Sequence, residues 1–260
     1  MIEAMKFWVH EADIDGFRCD VAGRVPVPFW NRARAELDAM KPMFMLAEAD
    51  DPALHRAAFD MTYNWDLLLL MRAVAAGKQS ARDLGAYLVH PAKAFPPDAY
   101  RMNFTSNHDV NSWTGTDREL FGAGFEAFAT LAALWPGMAL VYGGQEAALD
   151  KRLKFFERDP IDWGGRPREA FYHQLLSLKH QHPALWNGTA GGAPRLLDTG
   201  NAAVLAFERW QGSDGVRLLA NLSAQPQTVD AAAVGALRLE PWEYRVSFPP
   251  PPAPVPTSAH

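Results

Sequence analysis

Cysteine is almost absent from this chain. Cys19 is the only one in 260 residues, so no internal disulfide can form, and the compartment stays open because secreted enzymes also occur without disulfides. A charge excess is missing too: 25 Lys and Arg stand against 30 Asp and Glu, for a net charge of −5. That leaves no electrostatic footprint for nucleic acid or for an anionic membrane surface. Long apolar runs are also lacking. A bilayer-spanning helix needs roughly 20 consecutive apolar residues, and the short run Leu67–Met71 reads as part of a core helix. The N-terminus has no basic start followed by an apolar segment and a small-residue cleavage site. What is there is an ordinary globular composition, 48% hydrophobic and 21% charged. Such a chain can bury one large domain, or a medium domain and a small one.

The opening MIEAMKFWVHEADIDGF reads as an amphipathic helix feeding a strand, with Ile2, Met5 and Val9 as apolar positions beside Phe7 and Trp8. The chain is therefore expected to begin inside a fold. Four short apolar runs follow, each bounded by polar or turn residues: IDGFRCDVA (14–22), PMFMLAEAD (42–50), YRMNFTSNHDVNSW (100–113) and MALVYGGQE (138–146). Continuous apolar runs of this length suit parallel strands covered on both faces. Helical periodicity lies between them, over 29–40, 66–76, 80–89, 117–135 and 167–180, the fourth stopped by Pro136-Gly137. Strand and helix alternate, which predicts a parallel α/β architecture. Beyond about residue 185 the pattern changes. VLAFERW and VRLLANLS flank QGSDG as an antiparallel hairpin with a four- to five-residue turn, and LRLEPWEYRVSF reads as a further strand with Pro241 at an edge or break. The organisation expected is an α/β unit over 1–184, an all-β domain over 185–248 and a disordered proline-rich tail over 249–260.

In parallel α/β folds the reactive groups sit at the carboxyl ends of strands. Polar residues fall there in three successive expected strands: Arg18 and Asp20, then Glu48, then His108 and Asp109. A lone carboxylate near a strand end is usually a solvated loop residue or a helix cap. On the same bland reading Arg18 with Asp20 would be a structural ion pair, and His108 a satisfied core histidine. Repetition at three strand ends favours a site, and paired carboxylates about 5 to 5.5 Å apart are the arrangement for retaining glycoside cleavage. Among the nine tryptophans, Trp30, Trp65, Trp113 and Trp163 lie near strand ends. Sugars stack on such rings, although packing is the commoner use of an aromatic.

GFRCD, LAE and TSNHD, in this order and with Glu48 about 28 residues after Asp20, resemble the second, third and fourth signature regions of the α-amylase family, glycoside hydrolase family 13. PGMALVYGGQEAAL, KFFERDPIDW and LKHQHPALWNG extend the resemblance almost to the tail. It implies a partial (β/α)8 TIM barrel followed by a small antiparallel β-sandwich domain, and an α-glucan substrate. It also implies roles. Asp20 would be the nucleophile, and Arg18 would keep it ionised and oriented. Glu48 would be the general acid/base, its apolar run suiting a raised pKa, while Asp109 and His108 would hold the sugar.

Two departures from the family accompany these matches. The resemblance begins at the helix before the family's fourth strand, so the chain is expected to be the C-terminal portion of a longer enzyme, with open barrel edges. Where the family often places a Lys-His pair that lends a carbonyl to calcium, this chain has Gly23 and Arg24. No cofactor and no complete metal site are therefore expected, although the full-length protein could bind calcium. The alternatives to an α-amylase are an α-glucosidase or transglycosylase of the same family, and a non-catalytic α-glucan-binding remnant. Oligomeric state has no signal in the sequence.

Overall fold

The computed structural model describes residues 1–251; most of the stretch expected to be a disordered tail lies outside the described residues. Strands β1 (Gly16–Cys19), β2 (Phe44–Ala47), β3 (Met61–Tyr63), β4 (Tyr100–Asn103) and β5 (Met138–Ala139) form one parallel sheet in that order. Helices α1 (Ile2–Ala12) and α2 (Val27–Asp38) flank β1, and α3 (Trp65–Ala75) and α4 (Ala81–Val89) link β3 to β4. Next, α5 (Asp117–Phe121) and α6 (Phe125–Leu134) link β4 to β5, and α7 (Glu169–Gln181) follows β5. Sequential parallel strands with helical crossovers are the repeating unit of a (β/α)8 barrel. Eight strands close such a barrel, so these five form the partial barrel expected, with β1 and β5 as sheet edges.

The sheet departs from the sequence reading in two places. Strand β3 is an addition. Its three residues are all buried, too few to leave a period in the sequence. The helix expected over 117–135 is two helices separated by a tight turn at Gly122–Gly124. Gly122 has φ +54 and ψ −132, a conformation that side chains exclude. A side chain at Gly124 would meet the Trp242 indole, which lies 2.8 Å from where its Cβ would be. Every residue of α6 except Glu126 is buried, so this helix lacks a polar face and its sequence is apolar all round.

The C-terminal part is antiparallel. Strands β6 (Pro194–Leu196), β7 (Val204–Gln211), β8 (Asp214–Asn221) and β11 (Tyr244–Ser247) make one sheet, and β9 (Gln227–Ala231) pairs with β10 (Gly235–Leu239). Leu197, Val204, Ala206, Leu219, Val229 and Leu239 pack as a core of their own. The β7–β8 hairpin is tighter than expected. Pairing runs to Gln211 opposite Asp214, leaving only Gly212 and Ser213 as the turn, and Gly212 takes φ +60. The strand expected over 237–248 is divided after Leu239, and its halves pair with different partners.

One buried cation ties the antiparallel unit to the barrel. Arg209 on β7 is 2% exposed. Its guanidinium donates to the carbonyls of Gly192 (2.9 Å), Leu134 (3.2 Å), Leu185 (3.4 Å) and Trp186 (2.7 Å). Leu134 ends α6, so one side chain satisfies carbonyls left over at a helix terminus and in two loops. Burial pulls the Arg209 pKa down to about 10. Replacing Arg209 with Met keeps the stem but leaves these carbonyls buried and unpaired. The expected cost is about 3 kcal/mol of stability, read as a lower urea midpoint at unchanged slope.

Candidate active site

Parallel pairing sets the geometry of the site. Arg18 lies opposite Leu46 and Cys19 opposite Ala47, and the Glu48 N–H donates to the Cys19 carbonyl at 3.0 Å. The next residues in register, Asp20 and Glu48, are therefore neighbours across adjacent strands, whose backbones run about 4.8 Å apart. Arg18 bridges them. Its Nη1 lies 2.6 Å from Asp20 Oδ1 and its Nη2 2.6 Å from Glu48 Oε1. Two contacts from one planar guanidinium keep the bonded carboxylate oxygens within about 8 Å of each other.

Arg18 is itself held from behind: its Nε donates to the Tyr63 hydroxyl at 3.3 Å, and its guanidinium carbon lies 5.8 Å from the centre of the Tyr63 ring. Burial works against its charge, but the hydrogen bonds to Tyr63 and Asp20 outweigh it, and the guanidinium stays protonated well above its ordinary pKa. The hydrogen bond from Arg18 in turn holds the Asp20 carboxyl below the usual carboxylate range.

A second contact reaches Glu48 from the main chain. The Val21 N–H donates to Glu48 Oε2 at 2.8 Å. Val21 adopts φ 45 and ψ 38, a left-handed conformation that costs a β-branched residue about 1–2 kcal/mol. The apolar surroundings expected for Glu48 are therefore replaced on this side by a guanidinium and a backbone donor. From β4 come His108 and Asp109, with His108 Nε2 3.5 Å from Asp109 Oδ2. One ligand-type atom from each of Glu48, His108 and Asp109 falls within 4.8 Å of the others.

All five residues singled out in the sequence thus converge on one rim. They do not come from three successive strands, because β3 runs between the strands carrying Glu48 and Asp109. Sequence reasoning missed Tyr63 and Val21; the first sits in the unrecognised strand, and a valine gives no signal of a positive φ. The tryptophans divide. Trp30 is buried and donates to the Ala22 carbonyl at 3.0 Å. Trp65 stacks on Tyr63. Trp113 and Trp163 are exposed. Cys19 is buried, and burial pushes its thiol up to about 11, which makes it an inert neighbour of Asp20. A cavity of about 620 Å³ lined by Met5, Trp8, Phe17 and Asp20 opens beside β1. Another, of about 450 Å³, sits by Asp60 and Tyr100 at the opposite rim, away from the acids.

No protein-family model matches the chain. Individual proteins do. It is 29% identical over 255 residues to alpha-amylase MalA of Haloarcula japonica, covering 94% of this chain and 37% of that protein. It is 25% identical to a cyclomaltodextrinase of Geobacillus thermopakistaniensis, covering 89% and 41%. The curated proteins it is similar to are an α-amylase and a cyclomaltodextrinase. The chain spans about two fifths of the length of these curated relatives. The fold agrees. The cyclic α-maltosyl-(1→6)-maltose hydrolase of Arthrobacter globiformis superposes with a TM-score of 0.80 at 19% identity, over 95% of this chain and 59% of that one. The maltogenic alpha-amylase AmyB of Thermotoga neapolitana gives 0.75 at 24% identity, over 96% and 62%.

The Arg18 bridge predicts a measurable titration. Asp20 has a depressed pKa, so it is expected to stay ionised as pH falls through the ordinary carboxylate range and to protonate only below it. In an Arg18→Met variant the transition is expected to move up toward about 3.9. Carbon-detected NMR of the Asp20 carboxyl follows both; an unmoved transition would contradict the bridge.

Proposed function

We propose that this chain carries the catalytic acids of a retaining glycoside hydrolase acting on α-1,4-glucans such as starch and maltooligosaccharides. The observation that carries the proposal is the single guanidinium shared by two carboxylates from adjacent strands, with a histidine and a third carboxylate closing the group. Asp20 is the ionised nucleophile. It attacks the anomeric carbon while Glu48 gives a proton to the departing oxygen, leaving a glycosyl ester on Asp20. Glu48 then takes a proton from water, the water oxygen attacks the same carbon, and Asp20 is released. Two inversions return the original configuration. Asp109 and His108 hydrogen-bond the hydroxyls of the reacting sugar and favour its flattened, positively charged transition state.

No metal is needed for these steps. Where the family often has a Lys-His pair that lends a carbonyl to calcium, this chain has Gly23 and Arg24. The Glu48, His108 and Asp109 group includes an imidazole, and Arg18 is already paired with Glu48. It suits a hydroxyl-rich sugar better than calcium. α-Glucosidase and transglycosylase chemistry would use the same acids, and product profiles on maltooligosaccharides separate them. Asp20 sits on an edge strand with its side chain 77% exposed, and this favours one further reading, α-glucan binding without turnover.

The test uses the full chain with maltoheptaose. Turnover with retained anomeric configuration, read by proton NMR, is expected, together with a fall of about 10³-fold or more in Asp20→Asn. With an α-maltosyl fluoride, whose fluoride leaves without a proton, azide is expected to restore turnover to Glu48→Ala and to give an α-glycosyl azide. Inverted product, or an unaffected Asp20→Asn enzyme, would overturn the mechanism. Binding with no turnover would select the non-catalytic reading.

A further inference from the structure

One buried carboxylate has no part in the steps above. Asp117 begins α5 and is 4% exposed. Its nearest cation, Arg168, stands off at 3.9 Å from Oδ2, with the guanidinium carbon 4.0 Å from the centre of the Phe125 ring. Instead, both carboxylate oxygens accept from a single neutral amide, Gln145 Nε2, at 3.2 and 3.0 Å. A buried acid without a close ion pair costs the fold free energy. Such a group is better explained by what it holds than by what it stabilises.

What it holds is a junction of three segments. Gln145 is 3% exposed and lies on the loop after β5. Its Nε2 also donates to Thr105 Oγ1 at 2.9 Å, at the end of β4, and its Oε1 accepts from the Tyr142 N–H at 2.8 Å. That N–H can only donate, so it fixes which end of the amide faces Asp117. Thr105, Ser106 and Asn107 are all buried, and Asn107 Oδ1 accepts from the Val110 N–H at 2.7 Å. His108 and Asp109 therefore stand on a short segment held on both sides, by Gln145 before them and by the Asn107–Val110 contact around them.

We propose that Asp117 is a positioning residue: acting through Gln145, its carboxylate fixes the β4 end that carries His108 and Asp109 against the loop after β5. The inference rests on the α-glucan reading of that site. Asp117 itself touches no sugar. Hydrogen bonds to an ionised acceptor are about twice as strong as neutral ones, so the charge tightens the amide's aim. Burial outweighs Gln145 and Arg168 and pushes the Asp117 pKa up to about 6. The other charged or titratable groups nearby are Tyr172 on α7, Glu146 beside Gln145 and the exposed Glu126 on α6, while Arg118 and Glu119 on α5 pair at the surface with Asp150 and Arg152. The folded-state pKa lies above the ordinary carboxylate value, so stability is lost as pH rises through about 6. The ionised form is thus the less stable one and the tighter clamp.

The experiment compares the full chain with Asp117→Asn on maltoheptaose at about pH 5 and about pH 8. Asparagine and a protonated aspartate are both neutral and of one shape. At the higher pH kcat of the variant is expected to be about tenfold below the parent's, and at the lower pH within about twofold, with KM changed less than about threefold at either. The urea midpoint of the variant at the higher pH is expected to equal or exceed the parent's. Amide exchange of the Tyr142 N–H, read by NMR, follows the clamp without turnover: protection is expected to fall in the variant at the higher pH only. A kcat ratio that does not change with pH would remove the positioning role and leave the catalytic reading standing. A midpoint lowered at both pH values would assign Asp117 to stability and equally defeat the inference. A parent without turnover that still shows the pH-dependent exchange difference would refute the catalytic reading and keep the clamp, whereas no turnover and no exchange difference would sink both.

Discussion

Two carboxylates placed side by side repel each other, and a fold that positions Asp20 and Glu48 across adjacent parallel strands must answer that repulsion. Arg18 does so. It arises from the same strand as Asp20, two residues earlier, and so points to the same face of the sheet. From there it reaches both acids at 2.6 Å. The hydrogen bond from this cation holds the Asp20 carboxyl below the usual carboxylate range. The rest of the rim builds on this arrangement: Tyr63 holds the guanidinium from β3, Val21 directs an N–H at Glu48, and β4 adds the histidine and third acid.

The antiparallel unit is joined to the barrel by packing and by a buried cation. Arg209 joins β7 to the end of α6, and Trp242 lies over the glycine that begins the same helix. That helix is buried along almost its whole length and precedes β5, beyond which comes the loop carrying Tyr142 and Gln145. The β unit thus bears on the helix that leads into that loop, while contributing no residue to the group of acids.

Much of this could be read from the chain. The apolar runs ending in Asp20, Glu48 and Asp109 announce strand ends, and the order of their polar residues carries the family resemblance. What could not be read is local and short. Strand β3 has three residues and no periodicity to detect. The break between α5 and α6 turns on the backbone of Gly122, and Gly124 beside it leaves room for Trp242, more than a hundred positions away in the chain. The β7–β8 turn was expected to be longer because GSDG looks like a loop, whereas cross-strand pairing draws Asp214 into the ladder. The roles of Tyr63 and Val21 follow from contacts across strands, which no single stretch of sequence encodes.

The left-handed backbone at Val21 carries one more implication. Glycine would adopt the same angles freely, so the valine is an uneasy choice at the residue directly after the proposed nucleophile. A branched side chain stiffens this corner and limits how far the peptide can rotate. Relaxing it would trade a rigid aim at Glu48 for a more comfortable turn, and a version of this protein selected for heat resistance alone would be drawn toward that exchange.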